Sequence, residues 1–161
     1  MARRIVILGC AGSGKTTLAR RLGERMGAPV ICLDSVWQTL SPKDDIPTFR
    51  AVMAKAHAGE VWISDGNFAA VTFDIRLPRA DLIVWLDPPR LACAARAIVR
   101  VFRRGEAHKI SKLAEVLAFI WNFDRVNRSM IEAARIAHGS DIPVRRLTND
   151  REIVAFVEGS A

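Results

Sequence analysis

The stretch Gly9-Cys10-Ala11-Gly12-Ser13-Gly14-Lys15-Thr16 constrains this chain more than any other part of it. It fits the pattern G-x-x-x-x-G-K-[ST], in which a glycine-rich loop turns backbone N–H groups inward around phosphate oxygens. The context matches what such a loop requires. Arg4–Leu8 is a short apolar run that reads as a buried strand. Leu18, Leu22 and Met26 then recur every four residues, as on one helix face, and Gly27 and Pro29 close that helix. The helix N-terminus adds partial positive charge where phosphates sit. Gly9, Ala11, Gly12, Ser13, Gly14, Lys15, Thr16 and Thr17 are therefore the candidate phosphate-binding residues. Lys15 would neutralise the outer phosphates, and the Thr16 hydroxyl would ligate Mg²⁺.

At 161 residues the chain is read as one domain, 1–161, large enough to bury a core. Its three cysteines are odd in number and lack metal or C-x-x-C spacing. They point to a reducing, cytoplasmic setting without a disulfide framework. Arg3-Arg4 precedes an apolar run too short for a signal peptide, and no apolar stretch approaches the ~18 residues of a membrane span. The net charge of +7, mostly arginine, implies anionic ligands, either nucleotide phosphates or duplex nucleic acid. The arginines lie on several segments rather than in one tail, which favours a cleft.

Strand-like runs at Arg4–Leu8, Val30–Leu33, Val61–Ser64, Leu82–Leu86 and Val144–Leu147 alternate with helical patterns. This order predicts a parallel sheet with helices on both faces and ligands at its carboxyl ends. Asp34, Asp65 and Asp87 each follow such a run. Asp65 would hold Mg²⁺, the other reading being an Asp-Gly turn. Asp34 would accept a substrate hydroxyl proton or orient the metal, the other reading being a helix cap. For Asp87 a strand-end cap or turn is expected. Residues of about 35–60 form an expected substrate flap, and of about 103–112 an expected lid.

Other positions carry finer expectations. Arg76 or Arg79 could grip an anionic acceptor, with Arg79 expected to be solvated, and His57 and His108 read as surface residues. Leu91, Ala95, Ile98 and Phe102 make an expected apolar stripe, with Arg96, Arg100, Arg103 and Arg104 in another sector. No acid interleaves with these arginines, so they could stabilise charge during phosphoryl transfer. A helix from Lys112 to His138 is expected to bury Val116, Ile120, Phe123, Val126, Met130 and Ala133. Arg125 and Arg128 share a face of it and would reach the cleft as the lid closes. Thr148-Asn149 precede a last helix where an adenine edge could be read by backbone groups.

With these landmarks the chain resembles the nucleoside-monophosphate-kinase branch of P-loop proteins, and within it the small adenylate-kinase-like group known as topology modulation proteins. The carriers are Gly9–Thr17, Leu33-Asp34 with Trp37, Trp62–Asn67, Ala80–Pro88 and Arg96 with Arg100. The resemblance implies a three-layer α/β/α fold with five parallel strands in order 2-3-1-4-5 and a lid over ATP. It further implies that Arg96 packs on adenine and Arg100 contacts the transferred phosphate. Adenylate kinases carry Asp-Gly-Phe-Pro-Arg where this chain has Asp65-Gly66-Asn67-Phe68-Ala69, so the arginine that holds their acceptor's phosphate has no counterpart. Asp34 resembles instead the acid of shikimate- and gluconate-type kinases.

The expected activity is Mg²⁺-ATP-dependent transfer of the γ-phosphate to a small anionic or hydroxylated acceptor. Lys15, Asp34, Asp65, Arg100 and Arg104 would carry the chemistry, and Arg96, Thr148 and Asn149 would complete the nucleotide site. The other class is a nucleotide-dependent regulatory or nucleic-acid-binding protein. The chain would act as a monomer or homodimer.

Overall fold

The computed structural model describes residues 2–40, 45–103 and 113–160. Five strands form one parallel sheet: β1 (Arg4–Gly9), β2 (Val30–Cys32), β3 (Trp62–Asp65), β4 (Leu82–Leu86) and β5 (Val144–Leu147). Their order is β2-β3-β1-β4-β5, as the resemblance implied. β1 is central, with Ile5 opposite Ile63 on one side and Leu82 on the other. Alternate side chains of a strand point to opposite faces, and both faces of β1 are covered. Ile5 and Ile7 meet Leu18, Ala19 and Leu22 of α1 (Lys15–Met26), with α8 (Asp150–Glu158) packed beside it. Val6 and Leu8 enter the opposite core with Phe49, Met53, Phe73 and Ile131. Two-sided burial explains why these strands read as unbroken apolar runs rather than alternating ones. At the edge, β5 exposes Val144, Arg145 and Arg146 and buries only Leu147. Exposed arginines there discourage pairing with another chain.

The second helical layer contains α2 (Leu33–Thr39), α3 (Ile46–Ala56), α4 (Ala69–Arg76), α5 (Arg90–Arg103), α6 (Leu113–Asn122) and α7 (Ser129–Gly139). Asp45 caps α3 by accepting from the Thr48 N–H at 3.0 Å, and Pro47 occupies the first turn, where a missing N–H costs nothing. Phe49 and Met53 are fully buried, so α3 is anchored in the core. Pro42 of the expected flap, Arg104, His108 and almost the whole expected lid lie outside the described residues.

Two expected helix faces are corrected. On α5 the buried residues are Cys93 and Ala97, whereas Leu91 and Phe102 are 74% and 66% exposed. Small side chains face inward because the helix lies directly on the loop after β1: a Cβ at Gly12 would stand 2.3 Å from the Cys93 carbonyl oxygen. The predicted Lys112–His138 helix exists as α6 and α7 joined by a π-helical segment, Phe123–Arg128. Ile120 and Phe123 are buried as expected, but Val126 and Met130 are exposed, and Ile131 is buried instead, with Ala134 packed against the core. A π turn inserts one residue, so every inward position beyond Phe123 moves by one.

Candidate active site

The strand order reverses at β1, and in parallel sheets such a switch opens a crevice beyond the strand ends. The chain turns there at Gly9, with φ +147°, and a Cβ would lie 2.4 Å from the Leu86 carbonyl oxygen. Only glycine fits both that conformation and that approach. The resulting cavity, about 630 Å³, brings together Ala11, Gly12, Gly14, Lys15, Thr16 and Thr17 with Asp34, Arg96 and Arg100. Ser13 is buried beneath it. Asn67, Phe68 and Phe119 also line it, none of them a candidate site residue on the sequence alone.

The charged groups converge on the start of α1. The Lys15 ammonium donates to the carbonyls of Gly9 and Cys10 at 3.0 and 2.9 Å. Burial holds its pKa below the usual lysine value, while Asp65 and Asp34 act against that shift. Asp65, 1% exposed, accepts from the Thr16 hydroxyl at 2.5 Å through Oδ2. Its other oxygen, Oδ1, is buried without a hydrogen-bond partner. A buried carboxylate oxygen left unpaired is costly, and a divalent cation beside Thr16 would satisfy it. The donor set therefore fits Mg²⁺. Asp34 sits in the first turn of α2, whose N-cap is Cys32, so it does not cap that helix. Burial raises its pKa above the usual carboxylate value, with Lys15 opposing. Beside it, Trp37, Phe49 and Phe68 form an aromatic wall with centroids 5.1 to 6.3 Å apart.

A second tier of residues fixes this geometry. The Asn67 side chain clamps Gly9, accepting from its N–H at 3.2 Å and donating to its carbonyl at 3.0 Å. The next residue, Phe68, holds φ +36°, an unusual conformation for a side chain of that size. Arg76, expected as an acceptor grip, is fully buried under this loop. It donates to the carbonyls of Gly66 and Asn67 and to the Ser64 hydroxyl, and burial lowers its pKa to about 9. Arg79 is half-buried and donates to the Ala58 carbonyl. His57, expected at the surface, is fully buried. Its Nδ1 lies 2.7 Å from the Met53 carbonyl and so carries the proton, which leaves Nε2 to accept from Ser64 at 2.9 Å. Burial lowers its pKa to about 4.

Thr148 and Asn149 do not line this cavity but a neighbouring one of about 680 Å³, beyond β4 and β5. Both serve the start of α8: the Thr148 N–H donates to Glu152, and the Glu152 N–H donates to Asn149 Oδ1. Arg96 spans the gap, donating to Asp150 at 2.7 Å and to the Ser13 carbonyl at 3.4 Å. Asp87 is an ion-pair hub for Arg128 and Arg146 rather than a simple turn residue. Arg128 also pairs with Asp124 and lies over Trp85, away from the phosphate cavity.

No family model matches the chain. It is 32% identical over 98 residues to a shikimate kinase of Symbiobacterium thermophilum, a match covering 52% of this chain and 56% of that protein. The chain thus spans little more than half the length of the curated relative it matches. A shikimate kinase from Acinetobacter baumannii in complex with shikimate superposes with a TM-score of 0.62 at 15% identity, over 98% of this chain and 89% of that one. A gluconokinase from Sinorhizobium meliloti 1021 gives 0.53 at 15% identity, again over 98% and 89%. The chain has the three-layer α/β/α fold of P-loop kinases.

Proposed function

We propose that this chain is a phosphotransferase, a single kinase-like domain that moves the γ-phosphate of ATP to a small hydroxylated acceptor. The observation that carries the reading is one cavity lined by Lys15, Thr16 and Asp34, with the buried Asp65 bonded to the Thr16 hydroxyl. The loop amides and Lys15 would hold the β- and γ-phosphates, with Thr16 and Asp65 holding Mg²⁺. The metal, when bound, would neutralise charge on the phosphoryl oxygens. Asp34 would orient the acceptor hydroxyl and take its proton, aided by a raised pKa. Arg100, and Arg104 from the lid, would stabilise the transferring group, while Arg96 would pack on the base. Phe68, the ring of that aromatic cluster that lines the cavity, would seat the acceptor's carbon skeleton. The relatives named as shikimate kinase and gluconokinase support a small polyhydroxylated acceptor.

The test is ADP release from Mg²⁺-ATP across a panel of hydroxylated carboxylic acids, sugars, nucleosides and nucleoside monophosphates. Stimulation by one acceptor, reduced about 10²- to 10³-fold in Lys15→Ala, is the expected result. The net charge of +7 favours one other reading, the nucleic-acid role of topology modulation proteins. That reading requires duplex binding that weakens steeply with salt, and no acceptor-stimulated turnover.

A further inference from the structure

We propose that Asn67 is a positioning residue for phosphate binding: its side-chain amide fixes the Gly9 carbonyl on which the Lys15 ammonium rests. This role rests on the function proposed above. It adds a group that acts through the loop and Lys15 rather than by holding the phosphates itself.

The clamp continues the sheet by other means. β1 and β3 pair in register from Arg4 opposite Trp62 to Ile7 opposite Asp65, and the Gly66 N–H donates to the Ile7 carbonyl at 3.4 Å. Beyond that point the Asn67 side chain takes the place of a neighbouring strand. Its Oδ1 accepts from the Gly9 N–H at 3.2 Å, and its Nδ2 donates to the Gly9 carbonyl at 3.0 Å. A carboxamide presents a donor and an acceptor side by side, so it can match both backbone groups of one residue at once. On its other side Gly9 pairs with Leu86 of β4.

The Gly9 carbonyl also serves Lys15. The ammonium donates to it at 3.0 Å and to the Cys10 carbonyl at 2.9 Å. A carbonyl oxygen has two lone pairs, so Asn67 and Lys15 share this one without competing. An ammonium has three protons; with two on carbonyls, the third is left for a phosphate oxygen. A shift of the Gly9 carbonyl would therefore move the charge that the phosphates meet, and misplacement by about 1 Å is enough to be costly at a reacting centre.

Asn67 is itself fixed from behind. The buried Arg76 of α4 donates to the Asn67 carbonyl, to the Gly66 carbonyl at 2.6 Å and to the Ser64 hydroxyl at 3.1 Å. Gly66 holds φ +133°, and a Cβ there would lie 3.0 Å from the Leu33 Cβ at the start of α2. The backbone around Asn67 is thus set by α4 and α2, and its amide carries that position across to the loop.

The experiment is an equilibrium titration of Mg²⁺-ATP into the wild type, Asn67→Ala, Lys15→Ala and the double variant. A residue that acts through Lys15 loses its effect once Lys15 is gone, whereas one that only supports the fold does not. Asn67→Ala should weaken binding about tenfold in the wild-type background and about twofold or less in Lys15→Ala. Thermal melts confirm that each variant is folded. Asn67→Ser, which keeps a polar side chain of shorter reach, replaces Asn67→Ala should that variant melt too early, and the same pattern is expected of it. Equal losses in both backgrounds, or unchanged affinity in the single Asn67 variant, overturn the proposal while leaving the kinase reading intact. If the wild type itself binds no Mg²⁺-ATP, the proposed function fails and this role falls with it.

Discussion

The two cavities at the carboxyl end of the sheet are nearly equal in size, about 630 and 680 Å³, and opposite in how they treat charge. In the second, each lining arginine is matched by an acid: Arg90 by Asp124, Arg128 by Asp87 and Asp124, Arg146 by Asp87. In the first, Lys15, Arg96 and Arg100 line the space with Asp34 as the acid among the lining residues, while Arg96 is matched from outside it by Asp150. Backbone amides at the start of α1 add further positive potential there. Volume does not distinguish a binding site from a structural void here; the balance of charge among the lining residues does.

The largest expected effect separates the cavities most sharply. Asp34→Asn should lower kcat by about 10²–10⁴ while leaving nucleotide affinity within a factor of a few, because its role is confined to the acceptor. An equal loss of nucleotide affinity would place Asp34 in the phosphate site instead. Next comes a pH effect on stability. His57 has a folded pKa of about 4 against an ordinary value of 6.5, so the unfolded chain binds the extra proton between those values. Its contribution is complete above pH 6.5 and is lost as the pH falls to 4, by up to about 3 kcal/mol. The second cavity behaves differently. Asp124 is held below its usual pKa by Arg90 and Arg128, so its contribution persists at pH 4 and fades only at lower pH. Denaturant melts of the wild type and His57→Gln at pH 7 and pH 4.5 measure this, and a loss of the same size in both proteins would remove His57 as the cause.

The smallest effect tests the second cavity directly. Asp87→Asn leaves Arg128 and Arg146 without their shared carboxylate and should cost about 1–2 kcal/mol, since these groups remain partly solvated. Nucleotide affinity should not change. A stability loss without a binding loss is what a structural void predicts.

The sequence made the phosphate side legible because its chemistry is contiguous: loop, lysine and threonine follow one another, and strand ends are marked by acids. The sheet was legible from uninterrupted apolar runs. What escaped depends on contacts between distant segments. His57 reads as a surface residue and Arg76 as an acceptor grip until Ser64 and the Gly66–Asn67 carbonyls are placed beside them. The inner face of α6 and α7 was read correctly up to Phe123, where a π turn that no periodicity announces moved it by one residue. The inner face of α5 was misread because close approach to the loop selects small side chains there, and hydrophobicity alone favours Leu91 and Phe102.

The most direct test is an equilibrium titration of Mg²⁺-ATP into the wild type, Lys15→Ala and Asp87→Asn. The account predicts that affinity falls about 10- to 100-fold in Lys15→Ala, through loss of charged hydrogen bonds to phosphate, and is unchanged in Asp87→Asn. Retained affinity in Lys15→Ala with a loss in Asp87→Asn would put the nucleotide in the other cavity and contradict the assignment.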